Sequence, residues 1–333
     1  MTDRMQAAAR GRTPAPRPIT IAHRGASGYL PEHSLPAKAL AHGMGAEFLE
    51  QDVVATRDNH CVVLHDIHLD RVTDVTSAFP GRGREDGRYF ARDFTLAELK
   101  SLTLTERVGE DGAPVFPGRY PGGPTPLAIP TLAEELEFIA GLNRSTGQRA
   151  GVYPEIKKPA WHRAEGVDLS ALVLETLARG AWDAKLDQVW LQCFDLKENI
   201  RLHNELKAPY KLVQLIADDA WGESSTVYAD LLAPGGLTQL KGIVAGIGPW
   251  LPQLYELAPN GTVMATPLIE EAHALGLQVH PYTLRADALP EGFASLQAVA
   301  AWLVSLDCDG IFTDFPDQTV AAFDALGLAP ARS

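Results

Sequence analysis

Ile19-Thr20-Ile21-Ala22-His23, then Ser34 ahead of Leu35–Gly43, then Glu47-Phe48-Leu49-Glu50-Gln51-Asp52-Val53-Val54: the reading of this stretch decides the fold. Two apolar, β-branched runs flank a segment that carries a helix start. Ser34 supplies an N-cap and Pro36 suits the first turn. Strand, helix, strand in that order predicts a parallel βαβ unit. Outward from it, strand-length apolar runs recur at Cys61–His65, Val152–Ile156, Val189–Phe194, Lys211–Ile216, Gly242–Ile247, Leu277–Thr283 and Gly310–Thr313. Helical patterns lie between most of them. Thr95 with Glu98 and Thr131 with Glu134 form capping-box signatures, and Leu169–Arg179 has helical spacing that ends at Gly180. Ile19–His23 and Glu47–Val54 bring the candidate strands to nine, one more than a closed eight-stranded barrel needs. Arg57-Asp58-Asn59-His60 reads as a tight hairpin between Val54 and Cys61, so one arm is a ribbon and not a stave. The expected fold is α/β, a (β/α)8 TIM barrel.

The chain of 333 residues is 46% hydrophobic, which is enough for one large core. Its net charge of −13 argues against nucleic acid and anionic membrane surfaces as partners. A small phosphodiester is not excluded, because a local cation reverses the potential at one site. Cys61, Cys193 and Cys308 are far apart and flanked by apolar residues, so buried free thiols are expected rather than a zinc site. No apolar run approaches a membrane span. Residues 1–18 read as a flexible, polar and basic N-terminal segment without a signal-peptide core. Residues 19–333 read as one barrel domain. The glycine- and proline-rich stretch 67–129 breaks the rhythm and is expected to be a rim insertion without a core of its own.

Four strand ends carry chemistry. Ile21-Ala22-His23-Arg24-Gly25 ends a strand in glycine. His23 and Arg24 point to opposite faces of an ideal strand, and converge only if the chain turns at Gly25. Histidine suits proton transfer near neutrality, and the arginine fork matches phosphate oxygens. Glu50 and Asp52 share one face of a strand. Like charges there are costly without a cation, and hard oxygen donors favour Ca²⁺ or Mg²⁺. Leu64-His65-Asp66 offers a second acid–base histidine, with Asp66 a possible orienting group. Tyr153-Pro154-Glu155-Ile156-Lys157 adds a third carboxylate and a cation on one face. Taken singly, each cluster also fits packing: a core histidine, a solvated acidic edge, or a buried Glu155–Lys157 pair. Charges of both signs at consecutive strand ends do not. Gln192 and Tyr282 are placed as substrate contacts, and Phe194 as core. Asp314 is placed as a brace of the barrel. The histidines at 33, 42, 60, 68, 162, 203 and 273 show no partner pattern and are read as structural or surface.

HRGASGYLPEHSLPAKAL, LEQDVVAT, VVLHDIHLDRVTDV, YPEIK, LQCFD, HPYT and GIFTDFPD occur in order from Ile19 to Asp317. This set resembles the glycerophosphodiester phosphodiesterase family, and most of all its long bacterial branch with an insertion after the histidine–aspartate pair. The resemblance implies a phospholipase C-like barrel that hydrolyses glycerophosphodiesters to an alcohol and sn-glycerol 3-phosphate. It implies His23 and His65 as the acid–base pair, with Arg24 also at the reacting phosphate. It implies Glu50, Asp52 and Glu155 as ligands of a divalent cation, Ca²⁺ ahead of Mg²⁺, and Arg24 and Lys157 as phosphate contacts. It implies a periplasmic protein if a leader was removed, and otherwise the cytoplasm. The partner is a small-molecule diester, and a homodimer is left open. Rival readings are a lyase-type phospholipase D barrel, a non-catalytic phosphodiester-binding barrel, and a carbohydrate-binding module using Trp221 and Trp250.

Overall fold

The first strand is short because its job ends early. β1 (Ile19–Ala22) stops before His23, and the chain then turns through Arg24 at φ 59° and Gly25 at φ 88°. A Cβ on Gly25 would stand 2.9 Å from the Ala37 carbonyl carbon, so both its dihedral and its space demand glycine. The computed structural model describes residues 17–330, apart from 121–124 and 180–187.

The remaining strands are β2 (Phe48–Ala55), β3 (Cys61–Val63), β4 (Gly151–Ile156), β5 (Trp190–Cys193), β6 (Lys211–Ile216), β7 (Gly246–Pro249), β8 (Tyr255–Leu257), β9 (Val263–Ala265), β10 (Gln278–Val279) and β11 (Gly310–Thr313). Eight of them run β10-β7-β6-β5-β4-β2-β1-β11, all in parallel register. The ring closes between its ends: Leu284 N donates to Phe312 O at 2.8 Å and Phe312 N to Pro281 O at 3.0 Å. This is the expected (β/α)8 barrel. The ribbon is also as expected, with β3 antiparallel to β2 and Asn59 in the left-handed region of the turn.

Ser34 caps the helix Leu35–Gly43 through Ala37 N, and the capping boxes at Thr95 and Thr131 both form. The helix Leu169–Arg179 is present, while the expected stop at Gly180 lies outside the described residues. Other expectations shift. The run Gly242–Ile247 becomes strand only from Gly246, because Leu240–Val244 is spent in a turn with Gly242 at φ 78°. Leu277–Thr283 keeps just two strand residues before Pro281, which has no N–H for a ladder. β8 and β9 form an unforeseen hairpin around Asn260-Gly261.

The segment 67–129 does hold a core, contrary to expectation. Leu69, Val72, Val75, Phe94, Leu99, Leu102 and Ile129 are buried together against Val54, Val62 and Leu64 of the β2–β3 ribbon. The ribbon supplies an apolar face that the glycine-rich sequence could not build alone. Arg17, ahead of β1, also packs on the barrel. Arg17 is buried against Glu47 at 2.7 Å and Asp324 at 3.0 Å, whereas residues 1–16 lie outside the described set. All three cysteines are free and buried. Among the described residues no helix is long and apolar enough to cross a membrane.

Inside the barrel, Ile21, Tyr153, Trp190, Val213 and Phe312 fill one layer, with Phe48 packed against them. That layer is the floor of the site.

Candidate active site

Each inward-facing strand residue two positions beyond the floor is a site residue. His23 follows Ile21, Glu50 follows Phe48, Glu155 follows Tyr153, Gln192 follows Trp190 and Asp314 follows Phe312. The two-residue period of a strand sends both members of each pair inward, one layer apart. Asp52 stands one step higher on β2, directly across from Glu155 on β4. The sheet therefore assembles the polar layer without any loop having to fold into place.

The two histidines are held alike. His23 Nδ1 donates to Asp314 Oδ1 at 2.6 Å, and His65 Nδ1 donates to Asp66 Oδ1 at 2.8 Å. An ionised carboxylate only accepts, so Nδ1 carries the hydrogen and Nε2 is left as the acceptor. Burial, with Arg24 beside it, pulls His23 down to about 3, against the opposing pull of Asp314. Burial, Arg24 and then Lys157 pull His65 down to about 4. Both rings are neutral near pH 7. Asp66 and His65 are adjacent in sequence, yet they meet side chain to side chain because the strand has already ended.

Both carboxylates are in turn fixed by the insertion. Arg107 Nη1 donates to Asp66 at 2.7 Å and its other nitrogens clasp Glu32. Arg119 Nη2 donates to Asp314 at 2.7 Å, joined by Arg285 at 2.8 Å. Arg107 is thus a positioning residue for His65. Arg107→Ala is expected to lower kcat by about tenfold, the loss that ~1.4 kcal/mol of misalignment brings. Freed of its counter-charge, Asp66 stabilises the imidazolium more strongly, so the acid limb of the pH–rate profile should move up. An unchanged profile with reduced activity would point to a merely structural arginine.

The carboxylates are buried to the point of conflict. Glu50, Asp52 and Glu155 are 2%, 0% and 5% exposed. Burial and the neighbouring Asp52 push the Glu50 carboxyl well above the usual range. Burial pushes Glu155 up to about 8, against the pull of Lys157. Asp52 alone stays ionised, held well below its usual range by Lys157 and His65 together with its hydrogen bond from His33. Asp52 Oδ1 is a buried oxygen with no hydrogen-bond partner. Such a set is what a hard divalent cation neutralises. His33, Glu50 and Asp52 offer ligand atoms within 4.8 Å of one another. His33 Nε2 is already spent on Asp52 Oδ2 at 2.7 Å, which makes it an orienting group for that carboxylate. His33, read from the sequence as structural or surface, is buried on this carboxylate. Glu155 is tied to Lys157 at 2.8 Å and does not join this tightest cluster.

Arg24 N donates to Glu50 Oε2 at 2.5 Å and Nη1 to Glu32 at 2.8 Å, while Nε is buried without a partner. An unused N–H on a fixed guanidinium is a ready phosphate contact. The left-handed φ of Arg24 and of His33 at 61° costs about 1–3 kcal/mol each, strain of a kind that clusters at functional sites. Gln192 Nε2 reaches Glu50 at 3.4 Å, and its Oε1 has no partner. Tyr282 donates its hydroxyl to Ile216 O at 2.9 Å and stands edge-on to Phe194 at 5.8 Å. All of these line a cavity of about 230 Å³. Phe194, expected in the core, is on its wall, with Lys157 Nζ 5.5 Å from the ring centre. Trp221 and Trp250 also line the cavity and pack edge to face, 5.0 Å apart. His280 is not in the cavity; it is buried against the Tyr153 hydroxyl at 2.9 Å.

The sequence profile described as the glycerophosphoryl diester phosphodiesterase family matches residues 23–318. The chain belongs to this family. A glycerophosphodiester phosphodiesterase of Haemophilus influenzae is 43% identical over 91% of this chain and 88% of its own length. One from Treponema pallidum is 34% identical over 91% and 90%. Among solved structures, a phosphodiesterase of Oleispira antarctica in complex with the product sn-glycerol-3-phosphate shares the fold, with a TM-score of 0.63 and 22% identity over 92% of this chain and 97% of that one. The activity of the family is the hydrolysis of glycerophosphodiesters, and this chain is an enzyme of that kind.

Proposed function

We propose that this site cleaves glycerophosphodiesters, glycerophosphocholine and glycerophosphoethanolamine among them, by proton transfer through His23 and His65. The observation that carries the reading is the pairing of two neutral, carboxylate-held imidazoles with three buried carboxylates around one cavity. Both rings line that cavity, and Nε2 is the nitrogen that no carboxylate holds. One histidine takes the proton of the attacking hydroxyl on its free Nε2; the other must first take up a proton on Nε2, which the anionic phosphodiester beside it favours, and then delivers that proton to the departing alkoxide. The attacking hydroxyl belongs to water or to the glycerol 2-position; either uses the same pair of transfers. Arg24 and Lys157 hold N–H donors toward oxygens whose negative charge grows as phosphorus becomes pentacoordinate. Gln192 Oε1 suits a glycerol hydroxyl, and Tyr282 with Phe194 gives the glycerol carbons an apolar wall.

Glu50, Asp52 and Glu155 would hold a divalent cation, with His33 aligning Asp52. When bound, it supplies Lewis acidity and offsets charge on the phosphate oxygens. Calcium ahead of magnesium is our reading, from the resemblance to the long bacterial branch. The deciding experiment is coupled detection of glycerol 3-phosphate released from glycerophosphocholine by metal-stripped protein, with Ca²⁺ and Mg²⁺ returned separately. Product only after metal return supports the assignment. No product with either ion, on folded protein and several diesters, overturns it.

A further inference from the structure

A second cavity of about 240 Å³ adjoins the first. His23, Arg24, His65 and Arg285 line both and form the wall between them. Its far side is built by Glu32, Glu106, Arg107, Phe116 and Arg119, four of which come from the stretch 67–129 that the barrel itself does not require. We propose that this second cavity is the leaving-group subsite, and that Glu106 selects alcohols that carry an ammonium group. The inference rests on the reading of His23 and His65 as the proton-transfer pair.

Position gives the first argument. Attacking and leaving oxygens lie on opposite sides of phosphorus in an in-line displacement. The carboxylates and the apolar wall that suit glycerol are all in the first cavity. A phosphate held between the two histidines then sends its other ester into the second.

Charge gives the next argument. The guanidiniums of this cavity are all committed. Arg24 and Arg107 are paired to Glu32, and Arg107 also to Asp66. Arg119 is paired to Asp287 and Asp314, and Arg285 to Asp314. Four cations therefore face Glu32, Asp66, Asp287 and Asp314, and the carboxylate left without a cation of its own is Glu106. Its Oε2 is buried and has no hydrogen-bond partner. A buried acceptor without a partner costs about 1–3 kcal/mol, which a ligand that satisfies it recovers. Burial and the nearby Glu32 hold the Glu106 carboxyl up at about 7, so a cation arriving there would also settle it in the ionised form. An ethanolamine nitrogen supplies both that charge and an N–H donor, and a choline nitrogen the charge alone; a glycerol or inositol leaving group supplies only neutral hydroxyls. Val115 and Phe116 add apolar surface against which the methylenes of an amino alcohol can lie.

The test compares kcat/KM of wild type and Glu106→Gln on glycerophosphoethanolamine, glycerophosphocholine and the uncharged-headgroup diester glycerophosphoglycerol. The preference for the ammonium-bearing substrates over glycerophosphoglycerol should fall by about tenfold, carried mainly by KM. Inhibition by added choline should weaken in the variant by a similar factor, while inhibition by glycerol 3-phosphate should not follow it. Equal losses on all three substrates, or an unaltered preference, would overturn the subsite. A folded wild type that releases glycerol 3-phosphate from none of them would instead overturn the catalytic reading beneath it, and the subsite with it.

Discussion

His23→Ala and His65→Ala should each lower kcat by about 10²–10⁴-fold, the range that removal of a positioned acid or base produces. The geometry sets why the loss is so large. Nδ1 of each ring is occupied by a carboxylate that is itself fixed by arginine, so Nε2 has one direction in which to work. The two roles separate with a good leaving group. A p-nitrophenyl diester needs little protonation as it departs, so the variant lacking the acid should recover most of its rate there. The variant lacking the base should not. The double variant should cost much less than the product of the single losses if the rings act as a unit. The pH profile gives a further check. A base is disabled by protonation, and these rings are held at about 3 and about 4. The acid limb of kcat/KM, set by the base, should therefore lie well below the usual histidine value, while the ring that acts as acid, which must hold a proton on Nε2, sets the opposite limb. Wild-type rates in both single variants would remove the histidines from the mechanism.

Much of this site is legible in sequence because strands have a period of two. Once Ile21, Tyr153, Trp190 and Phe312 are read as barrel filling, His23, Glu155, Gln192 and Asp314 must project into the same interior one layer higher. Glu50 and Asp52 follow from the same rule. What the sequence hides is whatever loops bring in. Glu32 and His33 sit in the turn after β1, where no periodicity assigns a direction. Arg107 and Arg119 reach partners 41 and 195 residues away, from a stretch whose glycines and prolines give no register. Asp314 and His23 were each visible as strand ends, whereas their pairing was not. The same reasoning explains the misjudged core of 67–129. Its apolar residues are irregularly spaced and become a cluster only against the face of the β2–β3 ribbon. The strand errors are local. Pro281 cuts one run short, and the turn through Gly242 delays another. Asn260-Gly261 did carry a hairpin signal, but its flanks are too short to show alternation.

Asp52→Asn should abolish cation binding and with it nearly all turnover, a loss of several kcal/mol or about 10³-fold. Asp52 is the ionised member of the buried set, and its free Oδ1 is the oxygen best placed to accept a ligand. Calorimetric titration of Ca²⁺ into metal-stripped protein reads this without reference to turnover. Thermal melting reads it independently, since an ion bound only by the folded state at a hundred times its Kd adds about 2.7 kcal/mol. Wild type should gain that stability and Asp52→Asn should gain none. Proton linkage tests the other two carboxylates. Without a cation Glu50 is held well above its usual range and Glu155 at about 8, so both bind protons at neutral pH. A cation that uses them must displace those protons. Affinity should therefore rise with pH up to about 8 and fall as pH drops below it, and the heat of binding should depend on the ionisation enthalpy of the buffer. Glu155→Gln removes one of the displaced protons and should flatten the slope by up to one proton while weakening binding. A cation affinity that stays level from pH 6 to 8, with heats independent of buffer, would mean that Glu50 and Glu155 are not ligands. The cluster of His33, Glu50 and Asp52 would then have to be rethought as a buried hydrogen-bond network, with Arg24 3.6 Å from Asp52 and Lys157 2.8 Å from Glu155 as its counter-charges.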